Sequence, residues 1–124
     1  EIETMPNDTE LELHSKRLTD FHILRIIRAR KHSYDEPITA FLSDVFIHAN
    51  SAVGVVYGHV NQGPHGRYAD EHLLRTSDIR QAQKEGRYWV LTTQNSRYVV
   101  ASFKRDNGRA SFRNFLRRAE CSFH

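Results

Sequence analysis

Three arginines near the end of the chain have a spacing that suits phosphate binding. Arg109, Arg113 and Arg117 recur every four residues. In a helix they would line one side, about 6 Å apart per step, which is comparable to the spacing of phosphates along a nucleic-acid strand. Guanidinium groups also bind phosphate or carboxylate through two parallel hydrogen bonds. With Arg118 beside them, they predict a surface for an anionic partner; the alternative is an amphipathic helix with a solvated arginine face.

Two Arg–Tyr pairs form a second candidate patch. Arg87-Tyr88 and Arg97-Tyr98 flank residues 94–95, which the pattern predicts to be a two-residue hairpin turn. If the hairpin brings the pairs together, their rings offer stacking surfaces for unpaired bases beside positive charge. The alternative is that these aromatic rings belong to the core of the sheet. We select Arg87, Arg97 and Tyr98 as an adjacent binding patch.

Eight histidines raise the question of a metal site. His59, His65 and His72, with Asp70, could supply three nitrogen ligands and one oxygen ligand. A zinc site usually has a tighter signature, such as two histidines four residues apart on a helix or closely spaced cysteine pairs. These histidines instead straddle a loop rich in glycine and proline. The preferred interpretation is solvated loop histidines, and no metal is predicted.

Covalent catalysis has no signature in this sequence. Ser77-Asp78 and the single Cys121 lack a Gly-x-Ser-x-Gly elbow. The segment from Gly58 to Gly66 lacks the Gly-Lys-Ser/Thr ending of a phosphate-binding loop. We therefore expect a non-enzymatic protein without a cofactor, the alternative being a metal-dependent hydrolase built on the loop histidines.

The charge of the chain is divided between its halves. Residues 1–58 hold nine Asp and Glu against six Lys and Arg, whereas residues 59–124 hold six against twelve. Such a division bears on partners rather than on the fold. It favours an anionic partner for the C-terminal half. It is also compatible with a homo-oligomer in which unlike halves meet, or with a domain that is complementary to itself.

Length and composition predict one globular domain over residues 1–124, with residues 1–8 as a loose tail. A chain of 124 residues can bury a core without disulfide or metal, and a hydrophobic content of 39% is ordinary. The apolar runs are far shorter than the roughly 20 residues of a membrane span, so no membrane contact is expected. One cysteine allows no internal disulfide, and the acidic start lacks the features of a signal peptide. These features predict a cytoplasmic protein.

Two N-terminal helices are predicted to support these side chains. Residues 9–12 have the spacing of a capping box, which predicts a helix from about Glu10 to about Lys31. A second helix is predicted after Pro37, because apolar residues recur there at helical intervals. That stripe consists of Ile38, Phe41, Leu42, Val45 and Ala49.

The rest of the chain is predicted to form a small sheet and a last helix. Residues 53–60, 73–79, 86–93 and 96–103 have the composition of strands, the last two as a hairpin. Apolar residues on both faces of these strands favour a curled sheet or small barrel covered by helices. A terminal helix is expected over Arg109–Glu120. The predicted fold class is α+β: two N-terminal helices and a basic C-terminal helix on a small, strongly bent antiparallel sheet.

Three segments resemble a short β module of small uncharacterised bacterial, phage and prophage proteins. They are His65-Gly-Arg-Tyr-Ala-Asp70, Leu74-Arg-Thr-Ser-Asp-Ile79 and Thr93-Gln-Asn-Ser-Arg-Tyr98. In that module a Gly-x-aromatic-x-Asp-Gly turn precedes an Arg/Thr-Thr-Ser-x-Ile strand and a Thr-x-Asn-Ser-x-Tyr hairpin. The resemblance covers about a third of the chain, and Glu71 stands where the module usually has glycine. It implies a bacterial or mobile-element origin and assigns no catalytic or binding residue.

Together these patterns predict a cytoplasmic binding protein, encoded by a mobile element, that engages nucleic acid or a nucleic-acid-handling protein through its basic C-terminal half. The alternative is an inhibitor or adaptor of an acidic protein that never contacts nucleic acid. The residues expected to bind are Arg87, Arg97, Tyr98, Arg109, Arg113, Arg117 and Arg118.

Overall fold

The protein has an α+β fold, as predicted, built on one mixed sheet of six strands. A computed structural model describes residues 19–61 and 69–122. In chain order the elements are α1 (Asp20–Lys31), β1 (Ala40–His48), β2 (Ser51–Tyr57), β3 (Leu73–Arg75), β4 (Gln81–Glu85), β5 (Tyr88–Thr92), β6 (Arg97–Val100) and α2 (Gly108–Ser122). The strand order across the sheet is β3-β2-β1-β6-β5-β4.

The prediction of a helix after Pro37 is wrong, because strand β1 occupies this part of the chain. Asp44 and Val45 together lie opposite Gly54 of β2, so β1 carries one extra residue between Ser43 and Phe46. Asp44 has a φ of 59°, as expected for a bulge. The extra residue places Leu42 and Val45 in the same core although they are three residues apart. This spacing is what made the strand look helical.

In the described part of the chain, helix α1 begins at Asp20, whereas the sequence predicted a start at about Glu10. The Thr19 hydroxyl accepts a hydrogen bond from the backbone N–H of His22, and His22 Nδ1 accepts one from the backbone N–H of Thr19, both at 3.4 Å. This reciprocal cap satisfies two donors at the helix start. The predicted cap at residues 9–12 lies outside the described residues. The helix ends at Lys31, and its buried side chains are Ile26 and Ala29.

The sheet is mixed rather than purely antiparallel, which corrects the prediction. Strands β1, β2 and β3 form one antiparallel meander and β4, β5 and β6 form another, and the parallel pairing of β1 with β6 joins them. The predicted hairpin around residues 94–95 is β5–β6. Strand β4 was not predicted, because it is an edge strand with the polar sequence Gln-Ala-Gln-Lys-Glu.

One helix covers each face of the sheet, which explains why both faces of the strands are apolar. Helix α2 packs Phe112 and Phe115 with Leu42 and Leu91 on one face. Helix α1 packs Ile26 and Ala29 against Val90 and Val99 on the other. The described residues therefore contain two helices rather than the three that were predicted.

A short connection between the two edge strands curls the sheet. Strands β3 and β4 lie at opposite edges, about 24 Å apart in a flat sheet of six strands, yet residues 76–80 that join them reach only about 20 Å. The Ile79 N–H donates to Asn50 O at the β1–β2 turn, and the Arg80 N–H donates to Thr92 O at the end of β5. Since Ile79 packs in the core beneath α2, the sheet curls around α2.

Replacing Gly54 by alanine should destabilise the protein, because the bulge needs a residue without Cβ opposite it. A Cβ at this position would lie 2.9 Å from Val45 Cγ2 and 3.0 Å from Ser43 O. We expect Gly54→Ala to lower the free energy of unfolding by about 1–3 kcal/mol, measured by urea denaturation. Asn95→Ala in the exposed β5–β6 turn is the control and should change it by less than about 0.5 kcal/mol. Equal stability of the two variants would contradict the assignment of the bulge.

Candidate functional site

A cleft lined by positively charged side chains opens at the end of the sheet where β4 ends, β5 begins and β6 ends. Helix α1 borders it on one side and the start of α2 on the other. Its volume is about 280 Å³. We call it the basic cleft, lined by Arg25, Arg28, Lys84, Arg87, Tyr88, Trp89, Val100, Ala101, Ser102, Phe103 and Arg109.

The five cations of the basic cleft come from three separate parts of the chain. Arg25 and Arg28 project from α1, and Arg25 Nε donates to Ala101 O at 3.3 Å. Lys84 lies near the end of β4, and Arg87 lies in the β4–β5 turn next to Gly86, which has a φ of 65°. A side chain at Gly86 would meet the His32 ring, since a Cβ there would lie 2.5 Å from His32 Cε1. Glycine therefore lets the turn pack closely against the end of α1.

Backbone hydrogen bonds of the segment that connects β6 with α2 set the position of the fifth cation, Arg109. The Lys104 N–H donates to Val45 O, and the Gly108 N–H donates to Lys104 O. A Cβ at Gly108 would lie 2.5 Å from Val45 O, so glycine is needed for this close approach. The Arg109 guanidinium then lies over the Phe103 ring, 4.9 Å from its centroid.

The described charges of the basic cleft are of one sign. No carboxylate is among the described residues that line it. Within the described part of the chain, none of its five cations forms an ion pair with a carboxylate. The adjacent start of α2 adds the positive end of the helix dipole, and its first turn contains no acidic residue. Like charges held together repel one another, so the cleft attracts anions that would neutralise them.

Aromatic residues are part of the lining of the basic cleft. Trp89, Tyr88 and Phe103 are each partly buried and are among the residues that line it. The Trp89 ring contacts Phe112 of α2, with 4.9 Å between the ring centroids and 69° between the ring planes. The Lys84 ammonium lies 6.0 Å from the Trp89 ring centroid. A planar aromatic ligand would therefore meet both π-surfaces and positive charge here.

A second cavity extends the basic cleft along α1. It shares Arg25, Ser102, Phe103 and Arg109 with the cleft and has a volume of about 870 Å³. We call it the extension; it adds Thr19, Phe21, His22, Asp44, Lys104 and Arg105 to the lining. Phe21 is 59% exposed, and the Arg25 guanidinium lies 5.1 Å from its ring centroid.

The structure brings together two of the arginines selected from the sequence, Arg87 and Arg109, in the basic cleft. It does not bring Arg97 or Tyr98 there. Arg97 forms an ion pair of 2.7 Å with Glu85, which is buried, and its guanidinium also donates to Glu36 O. Tyr98 is only 3% exposed and belongs to the core beneath α2, opposite Leu91 of β5. The expected Arg–Tyr patch is therefore not formed.

The remaining arginines of α2 lie outside the lining of the basic cleft. Arg113 and Arg117 are exposed, and Arg117 donates to the Asn114 side chain. Arg118 donates to Ala49 O at the β1–β2 turn, while Arg109 lies near Phe103. The predicted basic C-terminal helix is not matched as a single four-arginine surface, because Arg118 contacts the β1–β2 turn. Binding of an anion by Arg113 and Arg117 stays a prediction.

Sequence reasoning missed Arg25, Arg28 and Lys84. Positive charges near the end of a helix are common because they suit the helix dipole, so Arg25 and Arg28 did not stand out, and Lys84 lies on the polar strand that was not recognised. The feature of the sequence that could have indicated Arg25 and Arg28 is their spacing. Arg25 and Arg28 are three residues apart and so project from neighbouring positions on a helix surface. Their meeting with the β4–β5 turn depends on tertiary packing, which no local pattern contains.

The described histidines are not arranged as a metal site. Among the described residues, no three His, Cys, Asp or Glu side chains are placed to hold a metal ion, and His65 lies outside the described part. His59 is buried, and its Nδ1 accepts a hydrogen bond of 2.9 Å from the Asn61 N–H. Burial lowers the pKa of His59. The absence of a metal stays a prediction.

Comparison with known proteins leaves the function to be argued from this geometry. No protein-family model, no curated protein and no solved structure matches the chain. The resemblance to small bacterial and phage proteins therefore stays a prediction. In the part of the chain that the structure describes, no helix combines the length and apolar character needed to cross a membrane.

Replacing Arg97 should lower the free energy of unfolding, whereas replacing Arg87 should leave it nearly unchanged. Arg97→Met leaves the buried Glu85 carboxylate without its cation and should lower the free energy of unfolding by about 3 kcal/mol. Arg87→Met, on the exposed turn nearby, is the matched control and should change it by less than about 0.5 kcal/mol. Urea denaturation measures both. An Arg97→Met protein as stable as wild type would contradict the structural role.

The stability of the protein should fall as the pH is lowered from 7, in part through His59. Its pKa in the folded protein lies below the value in the unfolded chain, because burial disfavours the charged ring. The unfolded chain therefore binds more protons in this range, and stability present above about pH 6.5 is lost as the pH falls through the folded pKa. His59→Gln should show a shallower dependence in urea denaturation between pH 7 and pH 5. An unchanged pH dependence in this variant would contradict the assignment.

Proposed function

We propose that the protein is a non-enzymatic binding protein that engages nucleic acid through the basic cleft. One observation carries the proposal: five cations from α1, the β4–β5 hairpin and α2 converge on one concave site, and no carboxylate is among the described residues that line it. Phosphate groups neutralise such a site, and the counterions they release drive the association. The encoding by a mobile element, which the sequence resemblance implies, belongs to the same proposal.

The arginines favour a phosphate ligand for this cleft. Four of its five cations are arginines, whose guanidinium groups form two parallel hydrogen bonds to a phosphate. Arg28, Arg87 and Arg109 are exposed at the cleft and therefore accessible to a large ligand. Their origin in three elements means that one ligand would contact all three parts of the fold.

The aromatic wall favours nucleic acid over an acidic protein. An acidic peptide offers carboxylates, which the arginines would also bind, but it has few groups that stack on aromatic rings. Nucleic acid carries both phosphates and planar bases, and the basic cleft has matching groups for both. Binding of an acidic protein partner is the alternative outcome of the test below.

The side chains in the floor of the basic cleft support a binding role rather than a catalytic one. The Ser102 hydroxyl is buried, lies 3.0 Å from the Ser43 hydroxyl and accepts a hydrogen bond from the Asp44 N–H. These contacts hold it within the β1–β6 junction. A serine that attacks a substrate instead needs an adjacent general base.

Reversing two charges in the basic cleft should weaken oligonucleotide binding. We expect Arg28→Glu with Arg87→Glu to reduce the affinity for a labelled oligonucleotide roughly tenfold or more, and to reduce the salt dependence by about 0.7 in logarithmic slope for each phosphate that is no longer neutralised. Fluorescence anisotropy at several salt concentrations measures both. The matched control is Arg113→Glu with Arg117→Glu, which changes the net charge equally outside the cleft and should retain most of the affinity.

Two results would overturn this assignment. If the control variant loses binding and the cleft variant keeps it, the helix face predicted from the sequence binds instead. If the wild-type protein binds polyglutamate but no oligonucleotide at low salt, the partner is an acidic protein.

A further inference from the structure

We propose that the ligand of the basic cleft is single-stranded, and that one unpaired base enters the cleft and stacks on Trp89. This inference rests on the proposed function, because it names the form of nucleic acid that the same site binds. Three observations carry it: the concave shape of the cleft, the position of Trp89 and the second aromatic ring in the extension.

The shape of the basic cleft favours an unpaired base. Its cations surround a cavity of about 280 Å³ instead of lying in a row on a convex surface. A small cavity of this kind accepts a planar ring group surrounded by charged side chains. The bases of a duplex are paired and stacked inside the double helix, and one of them would first have to be flipped out at an expense of a few kcal/mol. A single strand presents its bases without that step.

Trp89 is suited to be the stacking platform. It is only half-buried, it lines the basic cleft, and its contact with Phe112 holds the ring in place. A ring that is already fixed loses little conformational entropy when a base stacks on it. Phe103 is less available, because it is partly buried and its ring contacts Phe112, with 5.3 Å between the ring centroids, as well as the Arg109 guanidinium. Tyr88 packs beside His32 on the α1 side, with 5.5 Å between ring centroids.

The extension provides a path for the next nucleotides of the strand. Arg25 lines both cavities, so a phosphate beside it would connect a base in the cleft with the chain in the extension. Phe21 in the extension is 59% exposed and lies beneath the Arg25 guanidinium. An exposed aromatic ring next to a cation is the combination that binds successive bases of a single strand. The site therefore spans the cleft and the extension.

Trp89 also supplies the measurement, because it is the only tryptophan in the chain. Stacking of a base on this ring should quench its fluorescence. The wild-type protein is titrated with three oligonucleotides that carry equal numbers of phosphates: single-stranded oligothymidylate, the same backbone without bases, and a duplex. We expect the single strand to quench the fluorescence and to bind about tenfold more tightly than either of the others.

Two substitutions of Trp89 test the stacking directly. Trp89→Leu keeps an apolar side chain against Phe112 but removes the aromatic surface, and it should lower the affinity for the single strand about tenfold without changing binding of the abasic strand. Trp89→Phe is the matched control and should keep most of the single-strand affinity. Anisotropy with labelled oligonucleotides measures both, and the wild-type comparison stands even if Trp89→Leu does not fold.

The outcomes separate this inference from the proposed function. If none of the three oligonucleotides binds at low salt, the proposed function fails and the inference fails with it. If the abasic strand or the duplex binds as tightly as the single strand, or if bound oligothymidylate leaves the fluorescence of Trp89 unchanged, the protein binds nucleic acid but the inference is overturned.

Discussion

The parallel pairing of β1 with β6 is the contact on which the rest of the structure depends. It joins two antiparallel meanders into one sheet, and the five-residue connection between the outer strands then curls that sheet around α2. The Ser43–Ser102 hydroxyl contact and the hydrogen bonds of Val45 with Ser102 and Lys104 continue this pairing beyond the end of β6. The same hydrogen bonds set where α2 begins. The basic cleft lies beside this junction, because β4 ends, β5 begins and β6 ends at the same end of the sheet.

The fold could be predicted from the sequence where the information is local. The β5–β6 hairpin follows from its turn and flanking apolar residues, and the α+β class from the contrast between charged helical segments and β-rich segments. Strand β1 could not be predicted, because its bulge places the core residues Leu42 and Val45 at a helical spacing. The β1–β6 pairing could not either, since residues 40 and 98 are far apart along the chain and no periodicity joins them.

The candidate site could be predicted in part, for a related reason. Arg87 and Arg109 were found by residue type, because clustered arginines indicate an anion whatever the fold. Arg97 and Tyr98 were selected by residue type as well, but both have structural roles. Arg97 neutralises a buried carboxylate and Tyr98 fills the core. Burial decides between these roles, and burial is a property of the packed sheet. Arg25 joined the site only through the docking of α1.

The one-sided charge of the basic cleft has a consequence for the protein without a ligand. Five cations around one small cleft store mutual repulsion, and part of it acts between α1 and the rest of the fold. Only Ile26 and Ala29 of α1 are buried, so a small apolar contact and the hydrogen bond from Arg25 to Ala101 O hold this helix against the electrostatic repulsion. Salt screens such a force within about 10 Å at 0.1 M, and a bound anion removes it. We therefore expect an anion that fills the cleft to strengthen the attachment of α1, the helix that forms its wall.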